Sequence, residues 1–304
     1  MNRAFAPVAL FVYTRLDTTK KTVQYLLDNK LAPETDLIIY SDGGKDKNSW
    51  NKVNKLRSFL KTIKGFKSIE IIERNENYYL ERNIIEGITE VLNKYGKIIV
   101  LEDDITTSKY FLDYMNDALN KYENESHVMH ISSLNHFDVS NNEYDANFTS
   151  LMEGWGWATW KNRWDLFRHF KSKAEALSGL NKEDLKNIEY GGRFKCLHTL
   201  DHLPIPWDIC WLIAIYKNKG ICLEPSHPLS RNIGQYNGTH YNISKLLGKY
   251  EYDKPFVTIK IKKFPSIIEN NKEVEHFLNT SFDGFGMKYN LLGKIVRYFY
   301  NLKK

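Results

Sequence analysis

Short apolar runs alternate with longer amphipathic segments over the first hundred residues, and this alternation constrains the fold most strongly. The apolar runs lie at residues 8–13, 37–40, 69–72 and 98–101, and apolar residues at helical spacing fill the segments between them. Strands that alternate with helices in this way form parallel sheets through right-handed crossovers. The sequence therefore predicts an α/β fold with a mostly parallel central sheet flanked by helices.

Composition and charge exclude several other classes of protein. The chain has 304 residues, of which 42% are hydrophobic and 26% charged, so it can bury a sizeable core. Its net charge is +6, and its basic residues are spread along the chain. Because the sequence has no dense basic cluster, it gives no indication of binding to nucleic acid. Three cysteines without a CxxC pair argue against a disulfide framework or structural zinc and favour a cytoplasmic location. The sequence has no run of about twenty apolar residues and therefore predicts no membrane span.

Three adjacent carboxylates, Glu102, Asp103 and Asp104, follow directly on the fourth apolar run. Such acids repel one another and lose solvation on burial, so a folded chain keeps them together only with a compensating cation or many donors. Mg²⁺ or Mn²⁺, held by one or two carboxylates and by substrate phosphates, meets this requirement. The triplet therefore predicts a metal-assisted phosphate site, and the alternative is a solvated acidic turn.

The stretch from Val100 to Ile105 resembles the DXD motif of GT-A glycosyltransferases, in the EDD form of N-acetylglucosaminyltransferase I and its bacterial relatives. The resemblance implies a Rossmann-like GT-A fold with an acceptor-binding second half. It implies that Asp104 is the direct ligand of Mn²⁺ or Mg²⁺, and that Glu102 and Asp103 contact the nucleotide sugar. The implied activity is transfer of a sugar, most naturally from a UDP-linked donor, to a glycan or lipid-linked acceptor in bacterial surface polysaccharide or lipopolysaccharide synthesis.

Polar residues after the earlier apolar runs are similar to nucleotide-binding segments of the same family. Arg15 stands where the family has an arginine near the base and diphosphate, and Asp42 stands where it places an aspartate against the uracil imide. The resemblance also assigns a nucleotide contact to Arg82. Tyr79 replaces a glycine that is common in relatives, which argues against a close backbone approach to the donor there. The alternatives are a solvated arginine at position 15 and an ordinary turn around Asp42.

Four tryptophans fall within ten consecutive residues, namely Trp155, Trp157, Trp160 and Trp164. In an extended segment, Trp155 and Trp157 would point to opposite sides, and the neighbouring glycines permit a close approach to the backbone. The run resembles the loop that lines the donor sugar and acceptor in bacterial relatives of N-acetylglucosaminyltransferase I. We therefore expect Glu153, Trp155 and Trp157 to contact sugar or acceptor. The alternative is core packing, above all for Trp160 and Trp164.

Trp207 and Asp208 precede an apolar helical segment and resemble the catalytic segment of the family. The resemblance implies that Trp207 touches the sugar and that Asp208 is the general base, which an inverting transfer needs in order to deprotonate the acceptor hydroxyl. An aspartate at this position also fits an ordinary helix cap, and both roles can coexist. The positive end of the helix would favour the ionised carboxylate.

Two features of the last third complete the expectations. The Gly- and Asn-rich loop 231–240 suits a lid, and its His240 matches a late metal- or diphosphate-binding histidine of many GT-A enzymes, unless it is simply solvated. Residues 287–304 alternate apolar and basic side chains, which fits either a helix on the inner membrane surface or one packed on its own domain. We divide the chain into a nucleotide-sugar-binding half (1–125), an acceptor and catalytic half (126–245) and a C-terminal extension (246–304).

Two other functions share part of this pattern. A sugar-nucleotide nucleotidyltransferase should carry a glycine-rich basic loop after the first strand, and residues 12–17 lack one. A non-catalytic carbohydrate-binding protein would use the tryptophan run as its platform and would not need three acids at a strand end.

Overall fold

The computed structural model describes residues 5–135, 144–234, 256–257 and 259–280. The strands are β1 (Val8–Val12), β2 (Asp36–Ser41), β3 (Ser68–Glu73), β4 (Lys97–Glu102), β5 (Ile105–Thr107), β6 (Val128–Ser132), β7 (Ala146–Thr149), β8 (Trp157–Trp160), β9 (Ile221–Pro225) and β10 (Ser230–Asn232). The helices are α1 (Leu16–Leu27), α2 (Lys47–Leu60), α3 (Tyr79–Tyr95), α4 (Phe111–Lys121), α5 (Lys161–Trp164), α6 (Lys173–Leu177), α7 (Lys182–Ile188), α8 (Trp207–Lys217) and α9 (Lys272–Thr280). Each apolar run of the first hundred residues is a strand, as predicted.

Eight strands form one sheet in the order β3-β2-β1-β4-β8-β6-β9-β7. Parallel pairing joins β3 to β2, β2 to β1, β1 to β4 and β6 to β9, whereas the other three pairs are antiparallel. The predicted α/β fold with a mostly parallel sheet and flanking helices is therefore confirmed. Strands from both predicted halves share this sheet, because β8 inserts between β4 and β6. A separate two-stranded ribbon pairs β5 with β10.

Hydrophobic clusters cover both faces of the sheet. Neighbouring residues of β1 enter different clusters, because side chains alternate along a strand: Phe11 joins one cluster and Leu10 the other. The Phe11 cluster contains residues of α3 and α8, and the Leu10 cluster contains residues of α1, α2 and α4. Burial on both faces explains why these strands read as continuous apolar runs.

Helix α3 ends abruptly where β4 must begin. Gly96 follows the last helical residue with a φ of 76°, in the left-handed region where glycine is favoured, and its amide donates to the Leu92 carbonyl. The chain then enters β4 at Lys97 without a connecting loop. Strand β4 then crosses the sheet and ends at Glu102, at the opposite edge from Gly96.

Among the described residues, no helix combines the length and apolar character needed to cross a membrane. His240 and the predicted basic helix at 287–304 lie outside the described residues.

Candidate active site

The carboxyl ends of four parallel strands meet at one edge of the sheet. The register pairs Val12 of β1 with Ser41 of β2, and Ser41 with Glu73 of β3, while Phe11 lies opposite Glu102 of β4. Strand β8 runs antiparallel to β4, so residues just before Trp157 arrive at the same edge. The sheet therefore brings together loops that are far apart in sequence.

Arg15 forms ion pairs with two of the three carboxylates of the acidic triplet. Its Nη1 donates to Asp104 Oδ2 at 2.7 Å, and its Nη2 donates to Asp103 Oδ1. The Tyr13 amide reaches the other oxygen of Asp103 at 3.4 Å. Both aspartates are buried, whereas the Arg15 side chain is 38% exposed. The expected compensating cation is thus supplied in part by the chain itself.

Negative charge still exceeds positive charge at the triplet. Burial, reinforced by the two neighbouring aspartates, raises the pKa of Glu102 to about 8. Burial also raises the pKa of Asp103 to about 6 and raises that of Asp104, although Arg15 acts in the opposite direction on both. One guanidinium therefore leaves part of the charge of three carboxylates uncompensated.

This donor set fits a divalent cation. Carboxylate oxygens are the ligands that Mg²⁺ and Mn²⁺ prefer, and added positive charge would offset the repulsion that raises these pKa values. In the described part of the chain, no group of three or more His, Cys, Asp and Glu side chains is arranged to hold an ion by itself. The remaining ligands would then come from substrate phosphates and water, as is usual for Mg²⁺.

The chain after β10 lies directly against Asp104. The Ile233 amide donates to the Asp104 carbonyl at 2.8 Å. A Cβ atom on Gly234 would lie 2.0 Å from Asp104 Oδ2, so a larger residue would have to displace the carboxylate. The sequence placed the 231–240 loop near the site, but it gave no sign of this contact with Gly234.

The carboxyl of Asp42 holds two loops together. Its Oδ1 accepts hydrogen bonds from the amides of Gly43 at 2.8 Å and Tyr78 at 2.7 Å, and its Oδ2 accepts one from Asn77 Nδ2 at 3.1 Å. Burial raises the pKa of Asp42, and these backbone donors oppose the rise. Asp42 is only 5% exposed, and three donors already use its two oxygens. A nucleobase that binds Asp42 would therefore have to use the remaining acceptor capacity of the carboxylate.

Arg82 lies on the surface of α3 with its guanidinium already engaged. Its Nε donates to Glu86 at 2.8 Å and its Nη1 to Glu76 at 3.3 Å. The guanidinium carbon also lies 3.5 Å from the centre of the Tyr78 ring, and Arg74 covers the same ring at 4.7 Å. In the structure Arg82 therefore stabilises the Tyr78 turn.

The structure corrects the expectation that Trp157 and Trp207 offer open surfaces to a sugar. Trp157 is completely buried and Trp207 is 4% exposed, with their rings stacked at a centroid distance of 5.4 Å. Trp157 faces the cluster that α3 and α8 cover, which the local sequence does not show. Trp160 and Trp164 are buried as well, so the core alternative holds for them. Trp155 remains half-buried and partly accessible.

Asp208 is the second residue of α8, and its Oδ1 accepts from the Ile209 amide at 2.8 Å. The cap interpretation is wrong in its position, because Pro206 is the N-cap residue and no side chain caps the helix there. The Asp208 carboxylate nevertheless accepts from one of the amides left free in the first turn. Burial raises the pKa of Asp208, as do the charges of Glu81 and Glu153, while the Ile209 amide lowers it. Burial therefore opposes the ionising effect of the helix end. A raised pKa makes the ionised carboxylate a stronger base.

Asp208 and the acidic triplet lie within electrostatic reach of each other, because the charge of Asp208 also contributes to the raised pKa of Glu102. Glu153 acts on Asp208 in turn. The acids of three separate segments therefore act on one another electrostatically.

His130 is a buried residue of this region that sequence reasoning missed. Its Nε2 lies 3.0 Å from the Glu153 carbonyl oxygen, and its Nδ1 lies 3.2 Å from Trp211 Nε1. The indole nitrogen is a donor only, so Nδ1 accepts and Nε2 carries the hydrogen. Burial lowers the pKa of His130 to about 3 and keeps the ring neutral. The only signal in the sequence is a polar residue inside an apolar strand.

Comparisons with known proteins do not assign a family. No family model matches the chain, and no curated protein matches it. TarS of S. aureus shares 14% identity over 41% of this chain and 21% of its own, with a TM-score of 0.27. The chain thus spans about a fifth of TarS. The mannosyltransferase PcManGT from Pyrobaculum calidifontis, in complex with GDP-Man and Mn²⁺, shares 10% identity over 70% of each chain, with a TM-score of 0.37. Similarities this weak leave the function to be argued from the site.

Proposed function

We propose that this chain is a metal-dependent, inverting glycosyltransferase of the GT-A type. It moves a sugar from a nucleoside-diphosphate donor, with UDP favoured, to a hydroxyl of a glycan or lipid-linked glycan. The observation that carries the proposal is the meeting of three adjacent carboxylates, the Arg15 guanidinium and the separate carboxylate of Asp208 at the carboxyl edge of the sheet. This edge is the usual ligand-binding edge of an α/β sheet.

Asp104, supported by Asp103 and Glu102, would hold Mn²⁺ or Mg²⁺. Such an ion, when bound, supplies charge that neutralises the leaving diphosphate. Arg15 is half exposed beside Asp104, so its guanidinium can donate to phosphate oxygens that approach from solvent. These residues together orient the donor and stabilise the charge that develops on its diphosphate.

Asp208 takes the acceptor proton in this proposal. As the acceptor oxygen attacks the anomeric carbon, its proton passes to the Asp208 carboxylate and the bond between that carbon and the diphosphate oxygen breaks. A single displacement of this kind inverts the anomeric configuration. In this proposal Glu153 and the accessible part of Trp155 contact the acceptor. The hydrogen bonds of His130 join the Glu153 backbone to α8 and so support that position.

The proposed setting is bacterial surface polysaccharide or lipopolysaccharide synthesis in the cytoplasm, at the inner face of the membrane. A mildly basic chain would favour an anionic membrane surface and phosphate-bearing substrates. The carbohydrate-binding alternative is weakened, because most of the tryptophan run is buried and offers no platform.

Ligand binding tests the donor site. UDP, GDP and TDP, each with and without Mn²⁺, are added to the wild-type protein, and the unfolding temperature is measured. We expect a rise that needs both Mn²⁺ and one of the nucleotides, and that is lost in Asp104→Asn. Asp36→Asn is the matched control, because Asp36 begins β2 at the opposite edge of the sheet. A rise that occurs without metal and survives in Asp104→Asn would overturn the metal assignment.

Asp208→Asn tests the base separately from donor binding. We expect this variant to bind the nucleotide with Mn²⁺ as the wild type does, and to lose sugar transfer or donor hydrolysis by at least about 100-fold, because general-base catalysis contributes on that scale. Product release is followed by chromatography. Full activity in Asp208→Asn would remove Asp208 from the mechanism, and retention of configuration at the anomeric carbon would exclude single displacement.

A further inference from the structure

Tyr79 carries an exposed aromatic side chain on a backbone conformation that tyrosine rarely adopts. Its φ is 57°, in the left-handed region that glycine and asparagine tolerate best, and 66% of its surface is exposed. Within the described residues, no hydrogen bond, ion pair or ring contact involves its side chain. Strain of this kind persists where the surroundings impose it, and it concentrates at functional sites.

Two other non-glycine residues of the described chain have positive φ, and each has a structural explanation. Tyr190 has a φ of 50°, and its side chain is buried in a cluster with Val274 and Leu278. Lys219 has a φ of 53° just after the end of α8, where a left-handed residue commonly terminates a helix. Tyr79 stands at the start of a helix with its ring in solvent, so neither explanation applies.

The turn that carries Tyr79 is held firmly by its neighbours. Asp42 accepts a hydrogen bond from the Tyr78 amide, and Asn77 Nδ2 donates to the Gly43 carbonyl at 2.6 Å. A Cβ atom on Gly43 would lie 2.4 Å from the carbonyl group of Glu76, so the two loops are in direct backbone contact. The Tyr79 ring is therefore presented from a rigid support, which a binding contact requires.

The sheet order sets the distance between the turn that carries Tyr79 and the acidic triplet, and this distance suits a nucleoside diphosphate. The order β3-β2-β1-β4 puts the Asp42 loop two strands and the Tyr79 turn two to three strands from Glu102. At the usual strand spacing these separations are about 10 Å for the Asp42 loop and about 10–14 Å for the Tyr79 turn. A nucleoside diphosphate whose phosphates lie at the acidic triplet, and which extends along this edge, brings its base to the Asp42 and Tyr79 loops.

We propose that the ring of Tyr79 stacks on the nucleobase of the donor, an inference that rests on the proposed use of a nucleoside diphosphate. A planar base offers a π-face to an aromatic ring regardless of its hydrogen-bonding pattern. The exposed side chain of Leu80, beside Tyr79, adds apolar surface at the same place. The strained turn then serves to hold the ring in the binding position.

The test compares ligands with and without a base. Isothermal titration calorimetry gives the Kd of UDP, GDP and TDP, each with Mn²⁺, and of pyrophosphate with Mn²⁺. Tyr79→Asn removes the ring but tolerates the left-handed backbone, and Tyr79→Phe keeps the ring. For the nucleotide that the wild type binds most tightly, we expect Tyr79→Asn to weaken binding roughly 5- to 150-fold, the range for loss of one base–aromatic stack. Tyr79→Phe should stay within about twofold, as expected for a ring-retaining change.

Pyrophosphate should bind equally well to the wild type and to all variants, because it has no base. Lys219→Asn is the matched control, since it makes the same kind of change at a left-handed residue outside the site, and it should alter neither Kd. Equal nucleotide affinity in Tyr79→Asn and wild type would overturn the inference, and so would an equal loss of pyrophosphate binding. If the wild type binds neither pyrophosphate nor any nucleotide with Mn²⁺, the proposed function fails as well.

Discussion

Removal of the Arg15 guanidinium should destabilise the protein, and the loss should depend on pH. In Arg15→Gln, Asp103 and Asp104 lose their cationic partner while they remain 2% and 6% exposed. Breaking a fully buried ion pair costs about 3–5 kcal/mol. Because the Arg15 side chain is 38% exposed, water screens part of this interaction, and we expect a loss of about 2 kcal/mol near pH 8.

The pH dependence follows from the raised pKa values of the acids. Asp103 has a pKa of about 6 and Glu102 of about 8 in the folded protein, both above their ordinary values. Stability contributed by the protonated acids is present at low pH and is lost as pH rises through these values. Without Arg15 both values should rise further, so the cost of the substitution should be large at pH 8 and small at pH 5.

Urea unfolding at pH 5 and pH 8, with and without Mn²⁺, measures this difference. Mn²⁺ should restore part of the lost stability at pH 8, because a bound cation replaces the missing positive charge. Lys67→Gln is the control, since Lys67 pairs with the carboxylate of Asp36 on the surface at 2.9 Å and should show no comparable loss. An equal loss at both pH values would show that Arg15 acts through packing and not through the charge of the acids.

Two further substitutions test the site from different sides. Gly234→Ala should weaken Mn²⁺ binding at least about tenfold in calorimetry, because the new Cβ would displace the Asp104 carboxylate, whereas Gly154→Ala meets only the edge of Trp207 at 3.4 Å and should bind normally. His130→Gln should remove a pH-dependent part of stability, since the folded pKa of about 3 lies below the ordinary value and the wild type loses stability as pH falls. In urea unfolding, the difference between the free energies of unfolding of the wild type and the variant should shrink by up to about 1.4 kcal/mol per pH unit below pH 6.5. A difference that does not change with pH would contradict a neutral, buried His130 ring.

Local sequence patterns were sufficient for the first half of the fold. Each strand up to β4 has an apolar run and each following helix a single apolar face, because both signals depend on residues a few positions apart. The same patterns placed the acids at a strand end, and the edge location followed from parallel pairing. The alternation also put Trp155 and Trp157 on opposite sides, and the structure has them packed with different clusters.

Contacts between distant segments could not be read in this way. Arg15 meets Asp103 and Asp104 across almost ninety residues, and His130 joins the Glu153 backbone to α8. The sequence contained each of these residues, but nothing near them specified the partner. The burial of Trp157 likewise depends on which helices cover that face of the sheet.

The sequence by itself therefore determined the order of strands and helices up to β4, the buried runs of that half and the presence of an acidic triplet at the end of β4. Only the tertiary structure decided which charge opposes that triplet, which tryptophans are covered and which ring stays exposed at Tyr79. The physical reason is the range of the interactions. Hydrophobic periodicity is set within one element, whereas ion pairing and burial depend on segments that approach each other only when the sheet and its covering helices are assembled.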